Sequence, residues 1–311
     1  MVDNFQITSA PHIWRGLSVR NIMYLVVIAL LFPTGAAIYL FRLQALYVIL
    51  TSIAVSLLTE YLVKKLRGKP FVMDGSAIVT GLILALTLPP TLDLWMVALG
   101  AIFAIAIVKE AFGGLGHNIF NPALGGRAFL SASFASQMTT WTLPFTVDAV
   151  TSATPLSKSI PWQEGYLPLL WGNHAGSLGE TSALLIMAGG VLLIALRIID
   201  WRIPLSYIGT VGLLSLAVGR DPILYMLGGG LMLGAFFMAT DYVTSPITRK
   251  GRIIFGVGCG LVTIIIRRLG GLPEGVCYSI LLMNAITPLI DRYTKPRPLG
   301  LIKARENAAK K

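Results

Sequence analysis

A polar stretch at residues 148–157 carries several hydroxyl groups in a chain that is otherwise strongly apolar; its sequence is Asp-Ala-Val-Thr-Ser-Ala-Thr-Pro-Leu-Ser. Pro155 disfavours the α-helical conformation for the residue before it, so we expect Thr154 to be extended with its hydroxyl group presented outward. Ser152 and Ala153 add little bulk, so a large group could approach. A threonine hydroxyl is a weak nucleophile without an activating base, and this stretch contains no histidine. The pattern therefore predicts either a site that another enzyme modifies or an ordinary Ser/Thr-rich turn.

A second stretch, residues 113–127, combines glycines with two asparagines: Gly-Gly-Leu-Gly-His-Asn-Ile-Phe-Asn-Pro-Ala-Leu-Gly-Gly-Arg. Glycines allow the backbone to approach a flat ligand or another helix closely. Asn118 and Asn121 are three residues apart, so on a helical turn they share a face. Their amides suit the carbonyl and N–H edge of an isoalloxazine ring. The alternative is a broken helix with capping asparagines.

Nearly the whole chain resembles the family formed by the D subunits of Rnf complexes and the B subunits of sodium-pumping NADH:quinone oxidoreductases. The matching residues are Lys109-Glu110, Gly113-Gly114, Asn118, Asn121-Pro122-Ala123 and the flavinylation motif at residues 148–154. The resemblance implies that a flavin transferase esterifies FMN phosphate to Thr154. Within that motif it also implies that Asp148 helps the transferase to recognise the site, with Ser152 beside the acceptor and Thr151 as a bystander.

The same resemblance implies a second flavin, such as riboflavin, at Asn118 and Asn121. Arg127 joins these candidates because a guanidinium inside a membrane span must pair with a carboxylate, a carbonyl or an anionic flavin group. The resemblance further implies electron relay between reduced ferredoxin and NAD, coupled to Na⁺ or H⁺ movement. The expected partners are the A, B, C, E and G subunits, and the chain is not catalytic alone. The short N-terminus favours the Rnf type over the quinone-reductase paralogue.

Composition predicts an all-α polytopic membrane protein. Of 311 residues, 55% are hydrophobic and only 13% are charged, against about 25% charged in soluble domains. Ten apolar runs predict ten transmembrane helices. They lie at residues 22–41, 45–59, 75–92, 94–108, 119–137, 181–196, 203–219, 222–240, 253–266 and 275–290. We see no removable signal peptide at the N-terminus.

The distribution of Lys and Arg predicts the orientation in a prokaryotic inner membrane. With both termini in the cytoplasm, 19 of the 25 basic residues fall inside, five outside and Arg127 within a span, as the positive-inside rule expects. The net charge of +11 is therefore attributed to orientation in lipid and not to nucleic acid. This topology places the loop at residues 136–180, with Thr154, on the extracytoplasmic side.

An internal repeat divides the chain into two halves. Thr87-Leu88-Pro89-Pro90-Thr91 recurs as Thr244-Ser245-Pro246-Ile247-Thr248, 157 residues later, and a Gly-Gly-Leu sequence recurs at the same spacing. Five spans per half would invert the second half relative to the first. The predicted organisation is an N-terminus at residues 1–21, a first repeat at 22–135, the loop at 136–180, a second repeat at 181–291 and a basic tail at 292–311.

Ionisable residues at the edges of spans are candidates for an ion pathway, and we select Asp74, Glu110 and Asp241. Cys259 and Cys277 fall within predicted spans, which favours buried thiols over a disulfide or a metal site. Two functions outside electron transfer fit the same pattern of spans. They are an inverted-repeat channel or secondary transporter, which leaves residues 148–154 without a role, and a scaffold that only holds redox partners.

Overall fold

The computed structural model describes residues 18–145, 156, 165–180, 182–269 and 275–295. Within these ranges the chain is helical, with two π-helical segments at Phe103–Glu110 and Gly234–Met238. The first-half α-helices are α1 Val19–Leu66, α2 Ser76–Leu86, α3 Leu94–Ile102, α4 Pro122–Ser133 and α5 Ala135–Met138. After them come α6 Leu167–Trp171, α7 Ala183–Ala195, α8 Arg202–Ala217, α9 Pro222–Leu227, α10 Leu231–Leu233, α11 Arg249–Leu269 and α12 Val276–Thr294.

Helix α1 is two helices joined by a reversal at Arg42, whose φ of 55° and ψ of −131° are not helical. Gly75 precedes α2 and lies against Met23, whereas Gly81 is in the middle of α2 and lies against Ser52. Met23 and Ser52 would be roughly 44 Å apart on a straight helix, whereas Gly75 and Gly81 are about 9 Å apart. The chain must therefore fold back at Arg42, as the predicted runs at residues 22–41 and 45–59 require.

Two of the longest predicted spans are not continuous helices, and the run at residues 119–137 is interrupted as well, at Phe134 between α4 and α5. The run at residues 75–92 is helical only to Leu86, because Pro89 and Pro90 cannot continue a helix. The run at residues 222–240 stops at Leu227 and resumes at Leu231 after three glycines, two of which have φ of 68°. A helix of 11 residues is roughly 17 Å long, about half the thickness of a bilayer core. The prediction of two unbroken helices was wrong here, and both breaks leave helix ends inside the protein.

By length and composition, only α1 among the described helices is long and apolar enough to cross a membrane, while α2, α7 and α8 are shorter apolar helices. The helical segments nevertheless correspond to all ten predicted runs when α1 is counted as two.

Helices at equivalent positions in the two halves contact each other. The first part of α1 packs on α7, where the backbone oxygen of Ala29 lies so close to Gly189 that an added Cβ would be 2.5 Å away. Helix α4 packs on α12, where the Cys277 thiol donates to the Leu124 carbonyl over 3.4 Å. The two halves of the chain therefore pack directly against each other at both places.

We expect Gly189→Ala to separate α1 from α7, because the obstacle is backbone and cannot rotate away. The free energy of unfolding should fall by about 1 to 3 kcal/mol, measured by thermal unfolding of the purified protein in detergent. Gly209→Ala is the matched control, since Gly209 is also within a helix but has nothing within 4 Å of an added Cβ. Equal stability of the two variants would contradict this close packing.

Candidate functional site

A largely apolar cavity lies between the two halves of the chain, with about 750 Å³ of space including its mouth. Its walls come from α1, α2, the start of α4, α7 and the π-helix at Gly234–Met238. Its polar wall consists of Ser76, Thr80, Lys109, Asn118, Asn121, Thr240, Asp241 and Tyr242. Both predicted asparagines therefore line one cavity.

Asn118 and Asn121 do not share a helical turn as predicted. Asn118 lies in the non-helical segment before α4, and its amide donates to the Phe120 carbonyl at 3.0 Å. Asn121 is the N-cap of α4, and its side-chain oxygen accepts from the backbone amides of Ala123 and Leu124 at 3.1 and 3.3 Å. Pro122 follows at the first helical position, where its missing N–H costs nothing. The capping interpretation is confirmed for Asn121.

Asn121 also joins the two halves. Its side-chain amide donates to the Met238 carbonyl at 3.2 Å. Its backbone N–H donates to the side-chain oxygen of Asn284 at 3.1 Å when that amide is oriented by its hydrogen bonds. Most of the hydrogen-bonding capacity of Asn121 is thus used by the protein. The Asn118 amide also donates to the Asp241 carboxylate, so its side-chain oxygen is the group that remains for a ligand.

The floor of the cavity contains a buried ionic network centred on Lys109. Lys109 and Glu60 are each 2% exposed, and their charged atoms are 3.3 Å apart. The Lys109 ammonium also donates to the Ser76 hydroxyl at 2.6 Å, and that hydroxyl donates to Asp74 at 2.6 Å. Lys64 forms a second ion pair with Glu60. A buried ammonium is tolerable here because several oxygens surround it.

The three ion-pathway candidates occupy different positions around this network. Asp74 caps the start of α2 by accepting from the Ser76 backbone amide at 2.8 Å. Partial burial opposes ionisation, but the Ser76 hydrogen bonds and the nearby Lys109 charge hold the pKa of Asp74 below its usual value. Glu110 is buried behind Lys109, 3.7 Å from Arg67, and its other carboxylate oxygen has no hydrogen bond among the described residues. Asp241 faces the cavity, and Thr244 donates to it at 3.2 Å.

Arg127 is separated from the asparagines. It lines a second, smaller cavity with Glu180 and Cys277, and its guanidinium donates to the backbone carbonyl of Thr87 at the end of α2. A carbonyl partner was one of the three expected for this residue. Arg267 acts similarly on the other half: it donates to the carbonyls of Tyr225 and Gly228 where α9 ends, at 2.6 and 3.0 Å. Glu180 is buried and interacts electrostatically with both arginines.

The acceptor stretch itself, with Asp148, Ser152 and Thr154, lies outside the described residues. Leu156 is described, and it packs against the glycine break after α9. A Cβ added at Gly229 would collide with the Leu156 side chain and would lie 2.6 Å from the Arg267 guanidinium.

Sequence reasoning missed two buried carboxylates. Glu60 follows immediately after an uncharged run and was treated as its boundary, although an acidic residue continuing a helical apolar pattern was a usable signal. Glu180 ends the predicted loop at residues 136–180, and the arginines that interact with it electrostatically, Arg127 and Arg267, are distant in sequence. Cys259 and Cys277 are free and buried, as predicted.

A model of the NQR2, RnfD, RnfE family matches residues 6–300 of the chain. The chain belongs to this family. It is 49% identical to the D subunit of the Na(+)-translocating ferredoxin:NAD(+) oxidoreductase complex of Acetobacterium woodii, over 98% of both chains. It is 48% identical to the D subunit of the proton-translocating ferredoxin:NAD(+) oxidoreductase complex of Clostridium ljungdahlii, over 95% of this chain and 96% of that protein. An archaeal relative, the D subunit of the ion-translocating oxidoreductase complex of Methanosarcina acetivorans, is 39% identical over 96% and 98%.

We expect Lys109→Met to destabilise the protein strongly, because it leaves the buried Glu60 carboxylate with Lys64 as its remaining cation. Removing one partner of a buried ion pair costs about 3 to 5 kcal/mol. The double variant Glu60→Gln/Lys109→Met should recover part of this loss in thermal unfolding measurements. Lys65→Met is the control, since the exposed Lys65 has no carboxylate partner among the described residues. A Lys109 variant as stable as the control would show that the network contributes little.

Proposed function

We propose that this chain is the flavin-carrying membrane D subunit of an Rnf-type, ion-translocating ferredoxin:NAD oxidoreductase complex. The observation that carries the proposal is similarity over full length: relatives named as the D subunit match 95% to 98% of this chain at 48% to 49% identity. In this role the chain relays electrons and has no catalytic activity alone. The A, B, C, E and G subunits complete the complex and supply the ferredoxin and NAD sites.

The proposed topology has ten membrane segments in two inverted five-helix repeats, with both termini in the cytoplasm. Contacts between loops support this topology, because the loops that contact each other are assigned to the same side of the membrane. Asp200 pairs with Arg252 at 2.6 Å, and both belong to the inner side. Tyr166 donates to Asp221 at 2.6 Å, and both belong to the outer side.

Covalent FMN on Thr154 is the second element of the proposal. A bound flavin supplies one- and two-electron redox chemistry. Support comes from the motif at residues 148–154 and from the neighbourhood of Leu156, two residues later. Leu156 lies beside Gly229 and Arg267, so Leu156 itself packs against the second half of the chain. Arg127 and Glu180 lie in the same region, so Arg127 is assigned to the surroundings of this loop and not to the second flavin.

The cavity between the halves is proposed to hold a second, non-covalent flavin such as riboflavin. Apolar side chains from both halves, including Ile83 and Phe237, offer surfaces for a flat ring. Asn118 would hydrogen-bond the polar edge of that ring, while Asn121 fixes the wall by capping α4. Lys109 already pairs with Glu60 and donates to Ser76. It would therefore make one end of the cavity polar, but its charge would not be available to neutralise an anionic ligand.

Asp74, Glu110 and Asp241 remain the proposed ion-pathway residues. They lie around Lys109, on the side of the chain assigned to the cytoplasm. Two relatives of nearly equal identity are named for different ions, one for Na⁺ and one for protons, so overall similarity does not select the coupling ion.

The covalent flavin is tested by co-expression of the chain with a flavin transferase, followed by denaturing electrophoresis and ultraviolet fluorescence. We expect a fluorescent band that disappears in Thr154→Ala and persists in the matched variant Thr151→Ala. Intact mass should show one flavin phosphate on the native chain. A dark native band would refute the flavin-carrying role and favour the channel or scaffold alternatives. A fluorescent Thr154→Ala band would move the attachment to another residue.

The second flavin is tested with Asn118→Leu. We expect at least a tenfold loss of flavin that denaturation releases from the purified complex, because one buried hydrogen bond to the ligand is removed. Covalent fluorescence should be unchanged. Asn173→Leu is the matched control, since Asn173 is exposed and remote from the cavity. Unchanged release from the Asn118 variant would exclude this residue as a flavin contact.

A further inference from the structure

An open cavity of about 1120 Å³ lies at the ends of three second-half helices, and four arginines line it. It is formed where α7 ends and where α8 and α11 begin. The four basic side chains are Arg197, Arg202, Arg249 and Arg252, and Asp200 is the single carboxylate in the lining. This cavity adjoins the central cavity, with which it shares Ile199, Thr240 and Tyr242, but its arginines have no part in the flavin or ion-pathway assignments above.

The charges in this cavity are not balanced. Asp200 is bound by both Arg202 and Arg252, with nitrogen to oxygen distances of 2.8 and 2.6 Å. Arg197 and Arg249 have no carboxylate within ion-pair distance in the part of the chain that the structure describes. One carboxylate thus faces four guanidinium groups. Partial burial opposes the ionisation of Asp200, but its hydrogen bonds to Arg202 and Arg252 keep its pKa low, so this charge is present at neutral pH.

Helix geometry adds to the positive potential. Helices α8 and α11 begin at Arg202 and Arg249, and the N-terminal end of a helix carries a partial positive charge from unpaired backbone N–H groups. Guanidinium groups match the oxygens of a phosphate in geometry as well as charge. The cavity is therefore suited to a phosphate-bearing anion.

Apolar side chains beside the arginines indicate which phosphate-bearing molecule binds. Trp201 is 50% exposed and lies under the Arg202 guanidinium, 5.2 Å from ring centroid to Cζ. Leu205 and Ile253, next along α8 and α11, are 62% and 46% exposed. A tryptophan and exposed aliphatic side chains adjoining a basic cluster are typical of the boundary between headgroups and acyl chains.

We propose that this cavity binds the phosphate headgroup of an anionic phospholipid, with its acyl chains against α8 and α11. Arg197 and Arg249 supply the charge for the phosphate, while Asp200 holds Arg202 and Arg252 in position. A free phosphate would match the arginines but would make no contact with the exposed apolar side chains. An acidic segment of a neighbouring subunit would also match the arginines, but it would leave those apolar side chains unexplained.

The test uses the whole complex in detergent, titrated with phosphatidylglycerol or phosphatidylcholine and followed by native mass spectrometry. Each arginine near an anionic lipid contributes about 1 kcal/mol, or about fivefold in affinity. We expect preferential binding of phosphatidylglycerol, and about a 25-fold loss in Arg197→Gln/Arg249→Gln. These two residues are chosen because neither pairs with Asp200. Arg220→Gln, an exposed arginine in another loop, should bind as the native complex does.

Four results would overturn the proposal. Equal binding of both lipids, or an equal loss in the Arg220 variant, would show that the cavity does not select an anionic headgroup. Competition by inorganic phosphate at matched concentration would assign the site to a soluble anion. Loss of a neighbouring subunit from the double variant, with lipid binding retained, would assign it to a protein partner.

Discussion

The structure depends on satisfying backbone carbonyls where helices end inside the protein. Such groups cost several kcal/mol when they lie unpaired in an apolar medium. Arg127 donates to Thr87 where α2 ends, and Arg267 donates to Tyr225 and Gly228 where α9 ends. Cations are favourable at helix C-termini, which carry partial negative charge. These two arginines therefore make the broken helices possible, and Glu180 partly balances their charge.

The same helix ends border the second, smaller cavity, which Thr87, Gly229 and Gly230 line together with Arg127 and Glu180. A short helix that ends within the protein leaves space beyond its end, which loops and neighbouring helices then border. Asn121 serves both halves, because it caps α4 and donates to Met238 at the end of the second-half π-helix. The wall of the central cavity thus contains both residues that could bind a ligand and residues that complete backbone hydrogen bonds. Asn118 is the asparagine with hydrogen-bonding capacity left for a ligand.

The described residues contain three clusters of charged side chains, and these clusters differ in how deeply they are buried and in whether their charges are balanced. Lys109 and Glu60 are buried and matched, so they contribute to structure and set the polarity of the cavity floor. Arg127, Arg267 and Glu180 are buried at helix breaks. Arg197 and Arg249 border an open cavity without a carboxylate partner among the described residues. Only the last arrangement leaves cationic charge for an external anion, which is why the lipid proposal rests there.

The sequence by itself determined the helical class, the positions of ten apolar segments, the buried cysteines and the family. These features follow from local properties, since hydrophobic runs, motifs and a spacing of 157 residues are visible along the chain. Only the tertiary structure decided which of those segments are broken, because a break inside an apolar medium survives only when a distant donor such as Arg127 or Arg267 reaches its carbonyls. Likewise, Asn118 and Asn121 could be selected from their types, but the structure shows that both line one cavity and that Asn121 also caps α4 and contacts Met238 and Asn284. Those partners lie in the other half of the chain, and no local pattern encodes them.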